Sequence, residues 1–196
     1  MVNYLYKLVL ILSLFALVAI SGNAQLNQKI VHSQRLALKH SPFRSAKGIY
    51  SEVSKQKKYR LQYLTVVDSL LKTFPNDTLL IIESYNFICS GCKAMQVQIQ
   101  VDKLFVTFTN DSDSFLYARI DEKIKPDFTD EKGQLYSDIQ ELKAESAKSA
   151  DWAKYPAKYG TDQCFDGSHT LYTFIYPNNA MISMYMRCWL EKRFRK

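Results

Sequence analysis

Gln96, Gln98 and Gln100 alternate with Val97, Ile99 and Val101. Strict alternation of polar and apolar residues is the mark of a strand with one face buried. It constrains the whole stretch from Thr78 to Ile120, which is rich in β-branched and aromatic residues and broken by turn formers. Ser90-Gly91 as a two-residue loop sets Ile82 opposite Ile99 and Leu80 opposite Val101. Asp102-Lys103 as the next loop sets Ile99 opposite Val106 and Val97 opposite Phe108. A third hairpin around Asn110–Ser114 sets Leu116 opposite Phe108, Ala118 opposite Val106 and Ile120 opposite Leu104. Three separate turns thus give one continuous apolar face, because a slip of one residue sends a strand's apolar set to the other side. The expectation is a four-stranded meander with Ile99 at its centre and Gln98 on the opposite, exposed face.

Helical spacing flanks this meander. Tyr50, Val53, Leu64, Val67, Leu71 and Phe74 recur at helical intervals, and Pro75-Asn76-Asp77 ends the run. Leu135, Ile139 and Leu142 mark a second amphipathic helix over residues 129–150, followed by an irregular aromatic link from Trp152 to Gly160. A last hairpin runs from His169 to Trp189 around Pro177-Asn178-Asn179. With Asn178-Asn179 as its loop, Tyr172 faces Tyr185 and Cys188 faces His169. The fold class is therefore α+β: an antiparallel sheet, made of a four-stranded meander plus a C-terminal hairpin, packed with two helices.

The N-terminus has the form of a secretory signal peptide. Lys7 precedes the apolar run Leu8–Ile20, and Gly22 and Ala24 stand at the −3 and −1 positions of a cut before Gln25. The apolar run is shorter than the about 20 residues a bilayer span needs, and no second run of spanning length follows. The domain reading is a signal peptide over 1–24, a poorly patterned lead-in over 25–49, and one α+β domain over 50–196. Localisation is expected to be secreted or periplasmic, with no membrane span after removal of the signal peptide.

Export makes disulfides the default state of Cys89, Cys92, Cys164 and Cys188. Cys89-Ser90-Gly91-Cys92 also has the spacing of a thiol–disulfide redox motif. Such a motif places its first thiol at a helix N-terminus, whereas strand-like alternation follows here. Four thiolates would suit structural zinc, yet Cys164 and Cys188 lack the short spacing of ribbon sites. Sequence leaves the three pairings open; the local one, Cys89–Cys92 with Cys164–Cys188, fits the hairpins best. No cofactor and no metal are implied.

Charge is unevenly spread. Residues 29–60 hold nine bases (Lys29, Arg35, Lys39, Arg44, Lys47, Lys55, Lys57, Lys58, Arg60) against Glu52, whereas residues 111–151 hold eleven acids against six bases. The two regions either neutralise each other in the fold or expose a basic surface for an anionic partner. Nucleic acid is excluded as a partner by export and by the lack of a nucleic-acid module. His32 and His40 fall in the lead-in. His169, with Asp166 and Ser168, lacks the nucleophile elbow and oxyanion turn that a hydrolase needs. The carboxylates Asp121, Glu122, Asp127, Asp130 and Glu131 miss calcium-loop spacing. Tyr85, Phe87, Phe105 and Tyr117 share the face opposite Ile82, and with Tyr172 and Tyr185 they form a candidate binding surface unless helices cover it. The resulting expectation is a secreted or periplasmic binding protein, of inhibitor, immunity-like or envelope-accessory type, whose partner is a protein or an anionic envelope component. The alternative is an extracytoplasmic thiol oxidoreductase, or another enzyme, using Cys89 and Cys92.

Overall fold

The computed structural model describes residues 22–85, 95–102, 104–110, 116–121, 140–144, 154–161 and 169–189. In chain order these form α1 (22–39), α2 (Ala46–Ile49), α3 (Glu52–Lys55), α4 (Lys57–Thr73), β1 (Leu79–Tyr85), β2 (Met95–Val101), β3 (Leu104–Asn110), β4 (Leu116–Asp121), α5 (140–144), α6 (Lys154–Tyr159), β5 (Gly160–Thr161), β6 (His169–Ile175), β7 (Met181–Met186) and β8 (Cys188–Trp189). The sheet has six antiparallel strands in the order β4-β3-β2-β1-β6-β7, with β5 and β8 as a separate pair. This is the expected α+β class, the meander β1–β4 carrying the C-terminal hairpin β6–β7 beside β1.

The meander's pairings correct two of the three expected registers. Asp102, in the left-handed region at φ 47°, turns β2 into β3, and Ile99 lies opposite Val106 as the alternation requires. Between β1 and β2, however, Ile81 faces Ile99, so the expected Ile82–Ile99 pair is one residue out. The cause is the run Leu79-Leu80-Ile81-Ile82, all buried: an unbroken apolar run satisfies either register, and alternation has nothing to grip. The loop Ser90-Gly91 that served to set that register lies outside the described residues. Between β3 and β4, Val106 faces Ile120 and Phe108 faces Ala118, a shift of two that leaves every residue on its expected face. In the last hairpin Tyr176 and Ala180 close a three-residue loop in which Asn179 takes φ 60°. Tyr172 therefore faces Met184, and Leu171 faces Tyr185. Cys188 pairs with Thr161 instead of His169, because β7 ends at Met186 and β8 turns to join β5.

The lead-in is the largest departure. Residues 22–39 are helical, and Ile30, Ala37 and Leu38 of α1, with Phe43, Ala46 and Ile49, belong to the core. The domain thus begins well before residue 50. Polar residues on its inward side explain why the helix is hard to see: the inward positions are Asn27, Ile30, Ser33, Gln34, Ala37 and Leu38, and half of them are polar. The helix expected from Tyr50 to Phe74 is divided into the short α3 and the long α4, which starts after Gln56, and the short α2 ends just before Tyr50. Along α4, Arg60, Tyr63, Leu64, Val67 and Leu70 form the buried stripe and Leu61 is exposed; Tyr50, just after α2, is exposed as well. Of the second helix expected over 129–150, α5 with its buried Leu142 falls in the described residues. Burial lowers the pKa of Lys143 on α5, against the pull of Asp77 and Asp102, which places α5 near the turn ends of the meander. The link expected to be irregular contains α6, with Pro156 in its first turn where a missing N–H is tolerated.

Both faces of the central strands are buried. Ile81, Glu83, Val97, Ile99, Thr173 and Ser183 lie on the side of α1 and α4, and Leu80, Ile82, Gln98, Gln100, Tyr172 and Phe174 lie on the other. Gln98, expected to be exposed, is inside. Ile99→Ala is therefore expected to cost about 2–5 kcal/mol. Gln98→Asp should destabilise by a comparable amount, since an unpaired buried carboxylate is costly. Urea denaturation of both variants checks this; a near-neutral Gln98→Asp would put that side chain in solvent.

Candidate functional site

Two arrangements of polar side chains occupy the helical side of the sheet. The deeper one centres on Arg60 of α4 and Glu83 of β1, both with 0% exposure. Arg60 Nε donates to Glu83 Oε1 at 2.8 Å, its Nη1 donates to the Val53 carbonyl at 2.7 Å, and its Nη2 donates to Gln34 Oε1 at 3.0 Å and the Tyr85 hydroxyl at 2.9 Å. Glu83 also accepts from the Tyr63 hydroxyl at 2.8 Å and from Gln34 Nε2. Gln34 Nε2 reaches Thr173 at 3.2 Å, Thr173 meets Ser183 at 3.0 Å, and Ser183 donates to Ser33 at 2.9 Å. One connected network therefore joins α1, α3, α4, β1, β6 and β7. Burial, the largest single effect, works against the charged guanidinium, but Glu83 together with Tyr85 and Tyr63 outweighs it and holds the pKa of Arg60 above its ordinary value. Burial, reinforced by Glu83, raises the pKa of Tyr63 and of Tyr85.

The shallower arrangement is a cleft of about 350 Å³ between α1 and the start of α3 and α4, lined by Ala24, Asn27, Gln28, Val31, His32, Arg35, Ser54 and Lys57. Its size falls in the range of small-molecule sites. Positions 24, 28, 31 and 35 of α1 are three or four apart, so one stripe of the helix forms a wall while a neighbouring stripe packs on the sheet. Arg35 Nη2 donates to Ser54 Oγ across the cleft, and its guanidinium lies 5.6 Å from the centre of the exposed Tyr50 ring. The network below fixes both walls, through Gln34 on α1 and through Val53 next to Ser54. None of the lining residues is a carboxylate. Two buried polar atoms on this lining have no partner: Oδ1 of Asn27 and Nε of Arg35.

The residues singled out from the sequence are distributed differently. Tyr85, Tyr172 and Tyr185 are buried, and Tyr85 shares a face with Tyr185 while Tyr172, Phe105 and Tyr117 sit at register positions of the other face. The one-residue slips separate them, so they do not form a common surface; Phe87 lies outside the described residues. Tyr185 has an internal role: its hydroxyl lies 2.8 Å from Ser45 Oγ and 2.6 Å from His169 Nδ1, and Phe43 meets its ring edge-on, which ties the segment after α1 to the sheet. Asp166 and Ser168, the supposed companions of His169, and the acids Glu122, Asp127, Asp130 and Glu131 lie outside the described residues. So do Cys89, Cys92 and Cys164. Cys188 takes part in a disulfide whose other half is likewise outside them. Among the described residues no group of His, Cys, Asp and Glu is placed to hold a metal ion. Of the basic run, Lys29, Lys39, Arg44, Lys47 and Lys57 are exposed, but Arg60 is an internal charge.

No family model matches the chain, and no curated protein or solved structure matches it.

Breaking the ion pair from one side leaves a buried charge unpaired, so Glu83→Gln or Arg60→Met is expected to cost about 3–5 kcal/mol, and the double replacement less than the sum. Chemical denaturation of the cycle tests this; strict additivity would mean the two groups do not interact. The tyrosines give a pH dependence. Their folded pKa values lie above the unfolded one, so their contribution is complete below about pH 10 and is lost as pH rises, because the unfolded state releases protons first. Each should add a slope of up to about 1.4 kcal/mol per pH unit above that point. Tyr63→Phe should be less stable at neutral pH yet lose stability more slowly above it; equal slopes for variant and native protein would contradict the burial of that hydroxyl.

Proposed function

We propose that this is an exported binding protein whose partner is anionic, and that the partner docks on the layer formed by α1–α4. The cleft carries the reading: His32, Arg35 and Lys57 converge on one concavity with no carboxylate to neutralise them. The surrounding surface supports it, since Lys29, Lys39, Arg44 and Lys47 are exposed on the same run of chain. Excess charge of one sign around a concave site focuses the field and raises the local concentration of the opposite ion. Export rests on Lys7, the apolar run and the small residues before Gln25; a cut there removes Ala24 from the cleft lining and the first three residues of α1, and keeps His32, Arg35 and Lys57. Among the described residues no helix is long and apolar enough to cross a membrane. The disulfide at Cys188 fits an oxidising compartment, and Cys164, three residues beyond its neighbour Thr161, is the partner we assign to it. No observation favours the thiol oxidoreductase alternative.

Lys57→Glu places an acid at the mouth of the cleft on an exposed helix position. It is expected to weaken binding of anionic probes roughly tenfold, equivalent to about 1.4 kcal/mol, with the fold unchanged by circular dichroism. Calorimetric titration with acidic saccharides and anionic lipid vesicles, repeated at raised salt, is the measurement. Saturable binding that salt and Lys57→Glu both weaken supports the reading. Absence of saturable binding to every anion, or indifference to the substitution, overturns it.

A further inference from the structure

We propose that Gln25 is a modification site: the cut before it exposes an α-amine that closes onto its own side chain as a pyroglutamyl lactam, and this closure sets the charge at one end of the cleft. The proposal rests on the export and anionic readings of the preceding section. Its chemistry is internal to one residue. Glutamine sets an amide carbonyl one five-membered ring away from its own α-nitrogen. That nitrogen attacks Cδ; the bond from N to Cδ forms, the bond from Cδ to Nε2 breaks, and ammonia leaves with the proton that the attacking amine gives up. The step needs no oxidant and no co-reactant. From the protonated amine the positive charge departs as ammonium, and a neutral ring remains.

The fold leaves this reaction open and gives it a place. Gln25 is exposed, so no packing has to give way for its side chain to turn back on the new amine. In the processed chain α1 begins at Gln25. A ring of N, Cα, Cβ, Cγ and Cδ holds φ as the proline ring does. The first helical position suits such a ring, because its φ is already helical and its N–H has no intrahelical acceptor. An α-ammonium suits that position badly, since the helix macrodipole already makes this end positive. The nitrogen concerned is bonded directly to the carbonyl carbon of Ala24, which lines the cleft, as do Asn27 and Gln28 one turn further on. His32 lies about 10 Å along the helix from Gln25, about one Debye length at 0.1 M salt. An open Gln25 therefore adds a cation to His32, Arg35 and Lys57, with no carboxylate in the lining to offset it, and a closed one withholds it.

The test takes the whole chain, exported from a bacterial host by its own N-terminus, and the Gln25→Ala variant, which keeps a free α-amine and cannot close. Intact mass after reduction, followed from purification through prolonged warming, is expected to show residues 25–196 less one ammonia for the native protein. The variant is expected to keep the full mass of its own residues 25–196. An acidic disaccharide and vesicles of anionic phospholipid are then titrated at low salt, with circular dichroism to show that both proteins are folded. The variant is expected to bind these probes about two- to fivefold more tightly than the closed native protein, the effect of a unit charge about 10 to 4 Å from an anion in water. A native chain that begins at Gln25 and keeps its amine, or a closed chain that binds as tightly as the variant, overturns this inference while the export and anionic readings stand. Retention of residues 1–24 overturns the export reading, absence of binding by both proteins overturns the anionic one, and this inference falls with either.

Discussion

The Arg60–Glu83 ion pair is the constraint on which the rest of the architecture depends. Two full charges taken out of water are tolerable only when each is met by its opposite and by hydrogen bonds on its remaining sites. Here the guanidinium meets a carboxylate, a main-chain carbonyl, an amide and a phenol, and the carboxylate meets the guanidinium, a phenol and an amide. Apolar packing alone lets helices slide over a sheet with little penalty. A network of directional bonds admits one placement of α1, α3 and α4 over β1, because any shift would strand a charge or a donor.

That placement also creates the cleft. Gln34 holds α1 against the sheet from below, and the Arg60–Val53 bond holds the end of α3 beside it. The space left between these two tethered walls is where His32, Arg35, Ser54 and Lys57 meet. Rigid support under a polar concavity is what a binding site needs, since the side chains are ordered before the ligand arrives. The internal polar layer and the external basic one are thus two consequences of the same helix placement.

Alternation and turn residues made the sheet legible: the six strands fall where period-two patterning and Asp102-Lys103 or Pro177-Asn178-Asn179 put them. Registers were legible where one face is polar, as between β2 and β3, and not where Leu79–Ile82 is apolar throughout. The helix α1 escaped detection because Asn27, Ser33 and Gln34 point inward, and hydropathy marks them as outward. Arg60 looked like one more solvent-facing base within the run 29–60; its position on the same stripe as Tyr63, Leu64 and Val67 was the available sign that it is buried. Glu83, the sole charge in the strand that begins Leu79-Leu80-Ile81-Ile82, was the matching sign. The cleft itself has no sequence signature, because it depends on two segments, around residues 28–35 and 54–57, whose contact is set by partners in the sheet. The tyrosine surface failed through the same one-residue slips that moved the registers.

The strand order β2-β1-β6 has a consequence for how the chain is made. Leu79–Tyr85 is central in the finished sheet, yet one of its neighbours, His169–Ile175, is synthesised only after the rest of the meander and α6. Until that segment arrives, an apolar strand shows an unpaired edge, the feature that most invites pairing with another chain. Such long-range pairing is also slow to form, because the loop must close before the contacts repay it. A nascent chain that has delivered the meander but not the β6–β7 hairpin is therefore at its most aggregation-prone, and holding it unfolded until that hairpin is made would protect it.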